Sequence, residues 1–414
     1  MTAPARPSAV FLHTGWRSCG TWIWAHFRES PSVRAFYEPL HEDLATITRP
    51  KLGAVRPSSW KSGHSNTAAY FAEYEALLSP DGRGVVGYRQ DFAFENYFMD
   101  PDELSPALEA YLRSLLDSAH AEGRMPVLKF CRSLGRVAWL RRRFPGALHI
   151  NVLRDPVAQW ESSLQQYVQY HNRYFLLAPF MILSRNARHP LVADALTRLD
   201  VPLPPDFGPY LTLTVDACWR HVKRLNWDER YRGFLACWTA SAAAALQSDS
   251  LLIESTALNS NPAYRTEMAG IMSSAAGIQM SLEPLAGQSF SVTTAPKLVN
   301  ATADMALANY AALGFAAAHA ASLPGANKAV LMQKLTEAPG LAALVALPNL
   351  EHRSPRPAAR NRLLQYLDAA LYITALRLSF PLRRLHGELD RLWAQRRNAR
   401  RGKRQIVHQP SLTK

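Results

Sequence analysis

Cysteine is scarce in this chain: four in 414 residues. Cys19, Cys131, Cys218 and Cys237 show no CxxC spacing and no neighbouring histidine ligands, so neither a zinc site nor a disulfide framework is expected. Long apolar runs are also missing. Tyr174–Ser184 is too short to span a bilayer, and the Ala-rich Ala301–Leu323 is interrupted by Asp304, Asn309 and His319. The first eight residues lack the apolar core of a signal peptide, because Phe11 and Leu12 belong to the first predicted strand. The expectation is a cytoplasmic protein, or one peripheral on the cytosolic face of a membrane. No internal repeat is found.

Acidic residues are outnumbered. Lys and Arg total 47 against 33 Asp and Glu, a formal net charge of +14. Half of that excess falls between Arg383 and Arg404, where nine basic residues meet only Glu388 and Asp390. Such a cluster suits an anionic membrane surface or an acidic glycan, or is a solvated helix end with a basic tail. Trp393 is its one aromatic, so a dedicated nucleic-acid surface is not expected.

What the chain does have is an alternation of short apolar runs with helical patterns. Ala9–His13, Pro126–Cys131, Ala147–Leu153 and Leu251–Ile253 read as buried strands. Helices are predicted from Thr21, over Tyr70–Leu78, over Ser105–Ala121 with Leu108, Tyr111, Leu112 and Leu115 on one face, and over Leu134–Phe144, Pro156–Tyr170, Asp216–Arg224, Tyr231–Ser248 and Asn261–Ala276. Ser30–Phe36 reads as a turn and linker, and Tyr174–Pro209 as a Pro-rich apolar insertion. The alternation predicts a three-layer α/β/α fold with a central parallel sheet, like that of P-loop NTPases. Three regions are expected: an α/β domain over 8–290, an Ala-rich helical extension over 291–380, and a basic C-terminal helix and tail over 381–414.

One absence concerns chemistry. Gly15-Trp-Arg-Ser-Cys-Gly20 follows a predicted strand, opens a predicted helix and has the GxxxxG spacing of a phosphate-cradling loop, yet Thr21 stands where such loops carry lysine. Triphosphate chemistry is therefore disfavoured, and a P-loop nucleotide kinase would have to replace that lysine's contacts. Arg17 supplies a cation from within the loop, and Ser18 and Thr21 supply hydroxyls. The second informative segment is Val152-Leu-Arg-Asp-Pro…Ser162. It sets Arg154 at the carboxyl end of a parallel strand, where ligands bind in open α/β sheets, and Ser162 eight residues further on.

At these residues the chain resembles the PAPS-dependent sulfotransferase family. Arg17-Ser-Cys-Gly-Thr-Trp22 is similar to its 5′-phosphosulfate loop, and Arg154-Asp-Pro…Ser162 to its 3′-phosphate motif. Looser likeness extends to Pro126–Arg132 and Leu251–Leu258 with Asn261-Pro262, within residues 8–280. The resemblance implies PAPS as sulfuryl donor and no metal. It implies that Arg17, Ser18, Cys19, Gly20 and Thr21 hold the 5′-phosphosulfate, that Trp22 stacks near the adenine, and that Arg154 and Ser162 hold the 3′-phosphate. Two departures stand out: Cys19 replaces the usual small glycine, and Arg17 replaces a common lysine.

Tyr37-Glu38-Pro39 is similar to a segment of carbohydrate sulfotransferases, which implies Glu38 as the base, with His41 as the alternative. Lys129 and Arg132 are read as contacts to phosphosulfate or to an anionic acceptor, or as partners of acids. The aromatic stretch Tyr88–Phe98 and the insertion Tyr174–Pro209 are expected to act as lids over a saccharide or glycolipid acceptor. The competing reading is a non-catalytic nucleotide- or glycan-binding module recruited through its basic tail.

Overall fold

The computed structural model describes residues 6–57, 59, 68–204, 215–283, 303–319 and 322–336. The basic segment 383–404 and residues 205–214 of the apolar insertion lie outside the described residues.

Five strands form one wholly parallel sheet: β1 (Ala9–Thr14), β2 (Val33–Tyr37), β3 (Met125–Phe130), β4 (Ala147–Leu153) and β5 (Leu251–Glu254), in the order β2-β3-β1-β4-β5. Strands β1 to β3 are buried along their whole length, as expected of a parallel sheet covered by helices on both faces. The helices are α1 (Gly20–Arg28), α2 (Arg49–Ala54), α3 (Pro106–His120), α4 (Val137–Arg143), α5 (Pro156–Tyr170), α6 (Tyr174–Arg185), α7 (Pro190–Leu199), α8 (Val215–Val222), α9 (Trp227–Leu246), α10 (Ser255–Ser260), α11 (Pro262–Ala276), α12 (Ala303–His319) and α13 (Gly325–Thr336). The fold is a P-loop-like three-layer α/β/α arrangement.

The edge strand β2 corrects the linker expected over Ser30–Phe36. Arg34 at its centre masks the apolar pattern. Its guanidinium leaves the sheet to meet the Glu122 carboxylate, the Ser118 carbonyl at 3.3 Å and the Glu73 carbonyl at 2.6 Å, so the cation is buried fully partnered. Two local forms also differ: Ala72–Leu77 is a 3₁₀ rather than an α-helix, and α4 is preceded by a 3₁₀ turn at Leu134–Arg136.

Much of each expected lid is core instead. Phe92, Phe94, Tyr97 and Phe98 are buried core residues, and Leu176–Leu183 of α6 are buried on every side. A helix apolar all round belongs inside, and a nearly unbroken apolar sequence over 176–183 gives α6 no polar face to show water. Opposite it on α9, Gly233 admits the Phe180 ring: a Cβ there would lie 2.2 Å from Phe180 Cζ. Helices α12 and α13 pack on α7 and α9. Tyr231 Oη donates to Asn309 Oδ1 at 2.7 Å, and the buried Lys334 Nζ reaches Glu254 Oε2 at 2.8 Å. No described helix is long and apolar enough to cross a membrane.

Candidate active site

Sheet register brings the site together. Tyr37 pairs with Lys129, Phe130 with His13, Thr14 with Val152, and Leu153 with Glu254. The residues that leave these strand ends therefore stand side by side at the carboxyl edge: Glu38, Cys131 with Arg132, Gly15, and Arg154. With β1 central and its neighbours drawn from either side, the edge opens into the crevice where such sheets bind ligands. A cavity of about 550 Å³ fills it, lined by the loop Gly15–Trp22 and by Tyr37, Glu38, His41, Glu42, Asp43, Lys129, Cys131, Arg132, Arg154, Asn172, Tyr174, Phe175 and Val215.

The loop is held in a phosphate-cradling form. Arg17 and Cys19 both adopt left-handed backbone, with φ of 62° and 65°. Ser18 Oγ closes the turn on the Gly15 carbonyl at 2.7 Å. The N–H groups of Gly20 and Thr21 open α1 and have no carbonyl one turn back to bond, which leaves them for an anion. Gly20 is dictated by crowding: a Cβ there would lie 2.5 Å from Thr14 Cγ2. Cys19 holds a conformation that favours glycine, and its Sγ contacts Asn259 of α10 at 3.5 Å.

The two sequence motifs meet through side chains. Arg154 Nη1 donates to the Arg17 carbonyl at 2.7 Å, and Arg17 Nε donates to Ser162 Oγ at 3.1 Å. Burial, and then the nearby Arg154, lowers the Arg17 pKa, so the fold sets two half-buried cations close together. Arg154 Nε is buried without a hydrogen-bond partner. Trp22, expected near an adenine, lines the cavity while its ring packs edge-on against His26 at 4.8 Å.

Glu38 anchors the other half. Lys129 Nζ donates to its Oε1 at 2.5 Å, while the Cys131 N–H and Arg132 Nη1 donate to Oε2 at 2.9 and 3.1 Å. Burial alone would raise this carboxyl's pKa, but Lys129, Arg132 and the amide outweigh it and pull it down to about 2. Arg132 continues outward to Glu42 Oε2 at 2.6 Å and to Tyr174 Oη at 2.5 Å, and Tyr174 Oη donates to Glu42 Oε1 at 2.9 Å. Thus Lys129 and Arg132 are paired with acids. His41, the alternative base, accepts the Asp43 N–H on Nδ1 at 3.1 Å, and burial lowers its pKa, leaving a neutral ring. The sequence assigns no role to two residues of the polar network, although Tyr37 belongs to the Tyr37-Glu38-Pro39 segment. Tyr37 Oη sits 3.1 Å from Thr21 Oγ1, with burial pushing its pKa up to about 12, and Tyr174 enters from the helix after α5. Among the described residues no group of three or more His, Cys, Asp or Glu is arranged to hold a metal ion.

No protein-family profile matches the chain, and no curated protein matches it. Among solved structures, the sulfotransferase domain from the Synechococcus PCC 7002 olefin synthase is similar over 79% of this chain and 94% of its own, with 14% identity and a TM-score of 0.29. A likeness that distant carries no weight for chemistry; the cavity and its side chains do.

Proposed function

We propose that the chain is a PAPS-dependent sulfotransferase acting on a hydroxyl of a saccharide or glycolipid. The observation that carries this reading is the meeting of a lysine-free phosphate loop with Arg154 in one cavity, with Arg17 of that loop bonded to Ser162 and a buried Glu38–Lys129 pair in the same wall. A donor phosphorylated at both ends of its ribose fits two separate anion sites, whereas a triphosphate needs the lysine that Thr21 replaces.

When bound, PAPS supplies a sulfuryl group whose transfer breaks the S–O bond to the 5′-phosphate and forms one to the acceptor oxygen. Ser18, Cys19, Gly20 and Thr21 would hold the 5′-phosphosulfate through backbone N–H groups and the Thr21 hydroxyl, and Arg154 with Ser162 the 3′-phosphate. The buried orphan Nε of Arg154 fits such an anion. Glu38 is the base. It accepts the hydroxyl proton as Lys129 is drawn from it towards the negative charge growing on the departing phosphate; with Lys129 in place, a carboxyl held to about 2 is too weak a base. Trp16, Tyr174 and Phe175 offer aromatic faces beside Glu42 and Asp43, a combination suited to a polyhydroxylated ring.

Isothermal titration with adenosine 3′,5′-bisphosphate tests the reading. Micromolar or tighter binding, lost in Arg154→Ala, supports it. Binding of ATP with no preference for a 3′-phosphate overturns it.

A further inference from the structure

We infer that Arg17 selects for the 3′-phosphate of the nucleotide, although it belongs to the loop that cradles the 5′ end. The inference rests on the sulfuryl-transfer reading and assigns one of its residues a different task.

Four observations converge on it. Arg17 Nε is bonded to Ser162 Oγ, the hydroxyl of the other motif, at 3.1 Å. Arg17's carbonyl is held by Arg154 at 2.7 Å, so the main ligand of the second site also fixes the backbone of the first. That backbone is left-handed at Arg17, with φ of 62°, so the loop and the direction of its arginine are set together. Ser162 Oγ, by accepting from Arg17, keeps its own hydrogen to donate, and no described acceptor takes it. The result is a three-part donor set: two guanidinium groups near one another and a hydroxyl bonded to one of them.

The charges argue for a dianion. Drawing two guanidinium groups together in a half-buried place costs free energy that a single chloride-like charge recovers only in part. A phosphate monoester, with close to two negative charges and three acceptor oxygens, satisfies both cations and the hydroxyl. The phosphosulfate end, in contrast, meets the open amides of Gly20 and Thr21, with Lys129 as the cation on its side of the cavity.

The test compares two nucleotides on the full-length protein by calorimetry: adenosine 3′,5′-bisphosphate and adenosine 5′-monophosphate, which lacks the 3′-phosphate. The variants are Arg17→Gly, whose glycine accepts the left-handed backbone without strain, Ser162→Ala, and the pair combined; thermal unfolding verifies that each is folded. Arg17→Gly should weaken the bisphosphate on the order of 10- to 100-fold, and the monophosphate by less than about threefold. Ser162→Ala should cost less in the Arg17→Gly background than in the native one. Equal weakening of both nucleotides overturns the inference and leaves the sulfotransferase reading intact, with Arg17 at the 5′ end. If the native protein binds both nucleotides equally, or neither, the two-phosphate reading fails and this inference fails with it.

Discussion

Lys129 Nζ lies 2.5 Å from Glu38 Oε1, and both side chains are almost wholly out of water. The pair sits at the mouth of two neighbouring strands, one on each, because the register sets Tyr37 opposite Lys129. Removing one partner leaves a buried charge. Glu38→Gln should lower the unfolding free energy by about 3–5 kcal/mol, as Lys129 and Arg132 lose their shared acceptor. Glu38→Gln combined with Lys129→Met should recover part of that loss. Denaturant unfolding of the singles and the double reads the coupling directly; additive losses would show that the two do not act as a pair.

Acid should destabilise the protein in two stages. His13 and His149 are stacked in the sheet core, Nε2 to Nδ1 at 3.0 Å, with His13 Nδ1 at 2.8 Å from Ser133 Oγ. Burial first, and then their mutual repulsion for His13, hold His13 well below its ordinary value of 6.5 and His149 at about 4. Both bind protons more readily unfolded than folded. Stability is therefore full above pH 6.5 and is lost as pH falls towards 4. Glu38 works at lower pH: its depressed pKa adds stability above 4.5 that disappears as pH falls through about 2. His149→Gln should reduce the slope of unfolding free energy between pH 6.5 and 4 by up to about 1.4 kcal/mol per pH unit. An unchanged slope would exclude the pair as the source.

Gly20 has no room for a methyl group. Gly20→Ala drives a Cβ against the Thr14 side chain and should cost about 1–3 kcal/mol, with nucleotide binding lost because α1 must move away from the loop. Retention of both stability and binding would mean that Thr14 yields.

Tyr174 joins Glu42 and Arg132 in the cavity wall, its ring edge-on to Trp16 at 6.3 Å, and on the proposed reading it faces the acceptor. Tyr174→Phe should raise the acceptor KM about 3- to 10-fold while the bisphosphate Kd stays within about twofold, since one hydrogen bond is removed and the ring is kept. A change confined to the bisphosphate would move Tyr174 to the donor side.

Much of this arrangement is legible before folding. The strands of β1, β3, β4 and β5 show as short apolar runs, and the loop and the Arg154…Ser162 interval carry recognisable spacing. Strand β2 does not show, because a central Arg34 looks like solvent exposure until Glu122 and two carbonyls appear around it. Tyr88–Phe98 looks like an aromatic lid because composition cannot tell a ring that faces substrate from one that fills a core. The bond from Arg17 to Ser162 spans two strands and a helix, so it exists only once β1 and β4 are side by side. The same holds for the Glu38 knot, whose donors come from three residues over 129–132, brought to Glu38 by pairing of β2 and β3.

The ion pair between Lys334 and Glu254 gives the far end of the described chain a stake in the loop. Glu254 closes β5, and α10 begins on the next residue and carries Asn259, which touches the sulfur of Cys19. The carboxyl edge of the sheet therefore has a buttress on α13, and shortening the chain ahead of that helix strips Glu254 of its cation one short helix away from the residue that caps α1.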